Sequence, residues 1–105
     1  MITKVSSITT KEIADYLRIV EVDETLTQEL NTYLNVAKNY ISNYTGIPET
    51  STTEGAETLD SYADFVIVVY VLCQDMYDNR SMYVDGKSIN KVVQTILDMH
   101  TRNNL

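Results

Sequence analysis

The stretch that decides the fold is Phe65-Val66-Ile67-Val68-Val69-Tyr70-Val71-Leu72-Cys73. β-Branched residues dominate it, and local propensity alone reads a strand. Length reads otherwise. The pattern runs from about Ser61 through Met76 and Tyr77 to Asn79 with no turn signal, too long for an ordinary strand. The reading is a helix, apolar all round. Such a helix belongs at the centre of a bundle, covered on several sides.

Upstream lies the clearest amphipathic element. Leu26, Leu30, Tyr33, Leu34, Ala37, Ile41 and Tyr44 recur at spacings of three and four, one stripe of a helix. Thr25-Leu26-Thr27-Gln28 has the form of a capping box, with Asp23 and Glu24 near the positive helix end. Gly46 and Pro48 stop the helix in the usual order. A shorter helix is expected before it. It is capped by Thr9-Thr10-Lys11-Glu12 and carries Ile13, Tyr16 and Leu17 on its apolar face. Val20 to Asp23 reads as a connection.

Between the two long helices, Pro48 to Asp60 reads as a solvated polar loop. Its carboxylates lack calcium-loop spacing. After residue 79, Arg80 to Lys87 reads as a second loop with an Asp85-Gly86 turn, in which Met82, Tyr83 and Val84 could form a short extended segment. A last helix is expected from near Ser88, with Ile89, Val92, Val93, Ile96, Leu97 and His100 on one face, followed by a polar tail from Thr101 to Leu105. The expectation is one all-α domain over residues 1–105: a bundle of about four helices, one short N-terminal, two long and one C-terminal, with a long loop between the second and third.

Composition supports a compact domain: 105 residues, 44% hydrophobic and 22% charged, with three glycines and one proline. The longest apolar run is far short of the roughly 20 residues of a membrane span. Met1 to Ser7 has no cleavable apolar block, and the lone Cys73 in its apolar run reads as a buried reduced thiol, so a cytoplasm-like compartment is expected. The net charge of -7 is uneven. Residues 1–22 balance, residues 23–79 carry -9, and residues 80–105 carry +2. An acidic body argues against a conventional nucleic-acid binder, which needs clustered cations.

Candidate chemistry is sparse. There is no phosphate-binding glycine loop, no Cys/His cluster and no nucleophile elbow. No catalytic residue, cofactor site or metal site is read. His100 reads as a helix-end histidine near the negative dipole end, and Asp75 and Asp78 read as a solvated face. Two features stand out. Asn31, Asn35, Asn39 and Asn43 recur every four residues, opposite the apolar stripe. Asn is a poorer helix former than Lys, Glu or Gln, so the stripe reads either as an uncharged subunit interface, which avoids burying charge, or as a compositional habit. The chain also has eight tyrosines, one Phe and no Trp. Tyr33, Tyr40, Tyr44 and Tyr70 suit the core or its edge, whereas Tyr83, in a loop, suits a partner contact.

Three phrases resemble the small head–tail connector (adaptor) proteins of tailed phages and prophages. These are Ile8-Thr9-Thr10-Lys11-Glu12-Ile13-Ala14-Asp15-Tyr16-Leu17-Arg18-Ile19, then Ala37-Lys38-Asn39-Tyr40-Ile41-Ser42-Asn43-Tyr44-Thr45-Gly46, then Ala63 through Asp78-Asn79-Arg80. The resemblance spans roughly residues 3 to 102 and carries over no catalytic residue. It implies a homo-oligomeric ring under the portal protein, extending the DNA channel toward a tail or stopper protein, with DNA passing through unbound. The implied location is the virion head–tail junction, and the host cytoplasm during assembly. In that setting Glu49, Glu54, Glu57, Asp60 and Asp64 would face the channel and repel phosphates. Arg80, Tyr83, Lys87, Lys91 and Arg102 would dock on the portal or a neighbouring subunit. The free subunit would be a monomer whose 80–87 loop and tail order on docking. The rival reading is a small acidic regulator, such as a nucleic-acid-mimicking inhibitor. A small enzyme using Asp75, Asp78 or His100 stands third.

Overall fold

A computed structural model describes residues 2–80, 84 and 90–101. Among these residues all regular structure is helical: α1 (Thr10–Tyr16), α2 (Glu24–Thr45), α3 (Asp64–Asn79) and α4 (Lys91–Met99), with 3-10 turns at Val5–Ser7 and Leu59–Ser61. The valine-rich stretch is therefore helix. Phe65, Val68, Val69, Leu72, Cys73 and Met76 are buried in the core, and α3 packs against α1, α2 and α4. One side of α3 departs from the expectation of full cover: Ile67 is 52% exposed.

The apolar stripe of α2 meets α3, and Leu30, Tyr33, Leu34, Ala37 and Ile41 are all buried. The leucines and the isoleucine each contribute about 1.5–3 kcal/mol when fully covered. Glu29 near the start of α2 bonds Arg80 at the end of α3, so the two helices run antiparallel. Asp64 at the start of α3 meets His100 at the end of α4, so these two are antiparallel as well. Tyr40, Tyr44 and Tyr70 lie at the core edge, as their amphipathic rings suggest.

The caps hold with one revision. Thr9 caps α1, its backbone N–H donating to the Glu12 carboxylate at 3.1 Å. Gly46 ends α2 in the left-handed region at φ 79°. The cap of α2 is Asp23 rather than Thr25: its carboxylate accepts from the Leu26 N–H at 2.7 Å, and the helix starts at Glu24. An ionised carboxylate is a stronger acceptor for a free helix-end N–H than a hydroxyl is, and it also suits the positive dipole end.

The connection from Pro48 to Asp60 is not simply solvated. The Leu59 N–H donates to the Pro48 carbonyl at 3.1 Å and closes a neck. Leu59 and Ile47, on either side of it, are buried in the core, while residues 48–56 stay exposed. Ends joined across so short a span make a compact Ω-type loop. At its base the buried Thr45 hydroxyl donates to the Ile41 carbonyl and accepts from the Ile47 N–H. α3 begins at Asp64 rather than Ser61, because the preceding residues form the 3-10 turn.

On α4 the buried ridge is Val93 and Leu97, with Ile96 and His100 half-buried. Val92, expected on that face, is 63% exposed, because the ridge is centred one position further on. Asn90 caps the helix, accepting from the Val92 N–H at 2.7 Å. The expected helix start at Ser88 and Ile89, the Asp85-Gly86 turn, Met82 and Tyr83, and residues 102–105 lie outside the described residues.

Candidate functional site: an uncharged face on α2

The outer face of α2 is the most distinctive surface. Asn31, Asn35, Asn39 and Asn43 are all exposed, and Thr25, Gln28 and Thr32 join them. Glu24, at the first turn, is the single exposed charge on the helix. The other two ionic side chains are engaged at its flanks: Glu29 bonds Arg80, and Lys38 lies 3.8 Å from Glu49. The result is an amide and hydroxyl surface from Thr25 to Asn43, about 27 Å long at 1.5 Å per residue. Side-chain amides both donate and accept, so this face can meet another uncharged surface without stranding a charge.

The five carboxylates between Glu49 and Asp64 do not form a common face. Asp60 accepts from Ser6 twice, at its N–H (2.8 Å) and its hydroxyl (2.6 Å). Glu57 accepts from the Tyr62 hydroxyl. Asp64 meets His100 Nε2 at 2.9 Å, and Glu49 faces Lys38. Glu54 alone among the five meets no described partner, at the exposed loop tip. Most of these acidic groups therefore staple the loop and the helix ends together.

Of the basic docking residues read from the sequence, Arg80 and Lys91 are described; Tyr83, Lys87 and Arg102 lie outside the described residues. Arg80 is engaged within the chain, bonded to Glu29 at 2.7 Å with its guanidinium 4.3 Å from the Tyr77 ring centroid. Lys91 is exposed in the first turn of α4 and has no described ion pair. A cation there faces the positive end of the helix dipole, which disfavours it by about 0.3–1 kcal/mol.

His100, Asp75 and Asp78 do not share a site. His100 caps the end of α4, its ring 4.1 Å from that of Tyr62 and 5.0 Å from that of Phe65 between centroids. Asp75 and Asp78 line an open groove with Val71, Leu72, Gln74 and Asn90, further along α3. Asp75 also accepts from the Asn79 side chain. Cys73 is buried, and burial pushes its thiol up to about 12. Among the described residues no cluster of three or more His, Cys, Asp or Glu is placed to hold a metal ion, and no helix is long and apolar enough to cross a membrane. Sequence reasoning missed the Ser6–Asp60 staple, which no local pattern signals across 54 residues.

Neither family models, curated proteins nor solved structures gave a match to this chain.

Proposed function

We propose that this chain is a structural subunit of a phage head–tail connector ring, docking under the portal and extending the DNA channel toward the tail. The observation that carries the reading is the uncharged outer face of α2, in a chain whose net charge is -7. Copies of so acidic a molecule repel one another. A long amide face is where they can approach without opposing carboxylates. The sequence resemblance supplies the setting, and the four-helix architecture is compatible with it. Lys91, exposed with no ion pair among the described residues and set against its own helix dipole, is suited to an acidic surface on the portal or a neighbouring subunit. Channel-side repulsion of DNA falls to Glu54 at the exposed loop tip.

The rival, a nucleic-acid mimic, requires carboxylates spaced along one exposed face. Here Glu29, Glu57, Asp60 and Asp64 are turned to partners within the chain, which favours the assembly reading.

Electron microscopy of the chain mixed with a tailed-phage portal protein tests the proposal. A ring coaxial with the portal is expected, and a portal left bare at saturating subunit overturns it. DNA binding at low salt is expected to be weak; tight, salt-sensitive binding would remove the repulsive-channel element.

A further inference from the structure

Two helices of this fold end on an arginine in the left-handed region, where glycine is the usual occupant: Arg18 after α1, at φ 61°, and Arg80 after α3, at φ 51°. The backbone bonds that close the two ends are similar. Arg18 N–H donates to the Asp15 carbonyl at 3.1 Å, and Arg80 N–H to the Tyr77 carbonyl at 3.3 Å. The side chains differ. Arg18 is exposed with no described ion pair. Arg80 reaches back across 51 residues to bond Glu29, and its guanidinium lies over Tyr77.

A second cost accompanies the closed arrangement. The hydroxyl of Tyr33, one turn beyond Glu29, is fully buried and has no hydrogen-bond partner among the described residues. It lies close enough to Glu29 and Arg80 to interact with both, without completing a hydrogen bond to either by distance and angle. A covered, unpaired hydroxyl is unfavourable, as is a side chain at positive φ. Both costs are relieved if Arg80 swings away, since residue 80 can then leave the left-handed region and water can reach Tyr33. The ion pair and the ring contact oppose that motion. The Arg80 side chain is 60% exposed, and its bond to Glu29 uses one of the five guanidinium N–H donors, so a competing anion can reach it.

We propose that Arg80 is a strained ionic latch: held between Glu29 and Tyr77, it keeps residue 80 left-handed and so fixes where the chain leaves α3, and it opens when an external anion takes the guanidinium. The latch stands on its own geometry. Only its use rests on the connector reading, in which the chain beyond it carries the docking residues Tyr83, Lys87 and Lys91.

The test is amide hydrogen exchange on the free chain, comparing the wild type with Arg80→Gly, Glu29→Gln and Arg18→Gly, in low salt and in added sodium chloride. Glycine accepts the left-handed backbone, so Arg80→Gly removes the side-chain clasp and the positive-φ cost together. A latch predicts that Glu29→Gln, which weakens the clasp and keeps the strained residue, speeds exchange at residue 80 by roughly tenfold, the worth of one charge-assisted hydrogen bond, while Arg80→Gly is read by its loss of salt dependence. Exchange at the centre of α3 should stay unchanged. Added salt should speed exchange at residue 80 in the wild type and not in these two variants, and Arg18→Gly should show neither effect. Wild-type protection at residue 80 in Glu29→Gln, with no salt dependence, overturns the latch; that variant keeps the side-chain shape and serves if Arg80→Gly fails to fold. With no portal present, the outcome is independent of ring formation.

Discussion

Ser6 and Asp60 form a two-point staple: the Ser6 N–H and hydroxyl donate to the two oxygens of one carboxylate at 2.8 and 2.6 Å. It ties the amino-terminal 3-10 turn to the turn that precedes α3, and Val5 and Ile8 on either side are buried. Asp60→Ala is expected to cost about 0.5–1.5 kcal/mol, because water replaces the lost acceptor at this exposed site. Asp60→Asn, which keeps one acceptor oxygen, should cost less. Urea unfolding checks both, and equal midpoints for Asp60→Ala and the wild type would contradict the staple.

Leu59 lies within a stretch that composition reads as loop, yet it is fully buried. Leu59→Ala should therefore behave as a core truncation and lower stability by about 2–5 kcal/mol. Thr52→Ala, at the exposed tip, should stay within about 0.5 kcal/mol of the wild type. Thermal melts of the two variants separate a closed neck from an open loop.

The buried Cys73 thiol sets a pH dependence. In the unfolded chain it titrates near about 8.5, whereas the fold pushes it up to about 12. A raised pKa means that the native state holds the proton more tightly. The contribution to stability is complete below about pH 8.5 and is lost as the pH climbs toward 12. Tyr33, Tyr40 and Tyr70, raised chiefly by burial, act with the same sign at higher pH. Urea midpoints should fall between neutral pH and about pH 10.5. At pH 8 a thiol reagent should label the native chain far more slowly than the denatured one. Fast native labelling would contradict the buried site.

The amide face and Lys91 separate assembly from folding. Asn35→Lys replaces a poor helix former with a better one at an exposed site, so stability should hold or rise by a few tenths of a kcal/mol. The added charge should weaken association of copies across α2. Lys91→Glu relieves a cation at a positive helix end and should stabilise the free chain by about 0.3–1 kcal/mol, while weakening attachment to the portal. Melting temperature and ring formation, measured on the same samples, should move in opposite directions. If both variants assemble as the wild type does, neither surface is an interface.

Much of the secondary structure was legible because it is set locally. The Thr9 cap, the α2 stripe and its Gly46 stop, and the length of the stretch around Phe65 to Cys73 each depend on neighbours within a few turns. Periodicity also placed the asparagines on the outer face of α2, and the apolar run around it placed Cys73 inside. Tertiary structure alone decided the rest. It drew Leu59 into the core, stapled Asp60 to Ser6, set His100 between Asp64 and two aromatic rings, and turned Arg80 back onto Glu29. It also scattered an acidic segment that reads as one surface into separate internal pairs. The physical reason is range. A helix face repeats every few residues and can be read from spacing, whereas a hydrogen bond across 36 to 54 residues exists only once the bundle has brought its ends together.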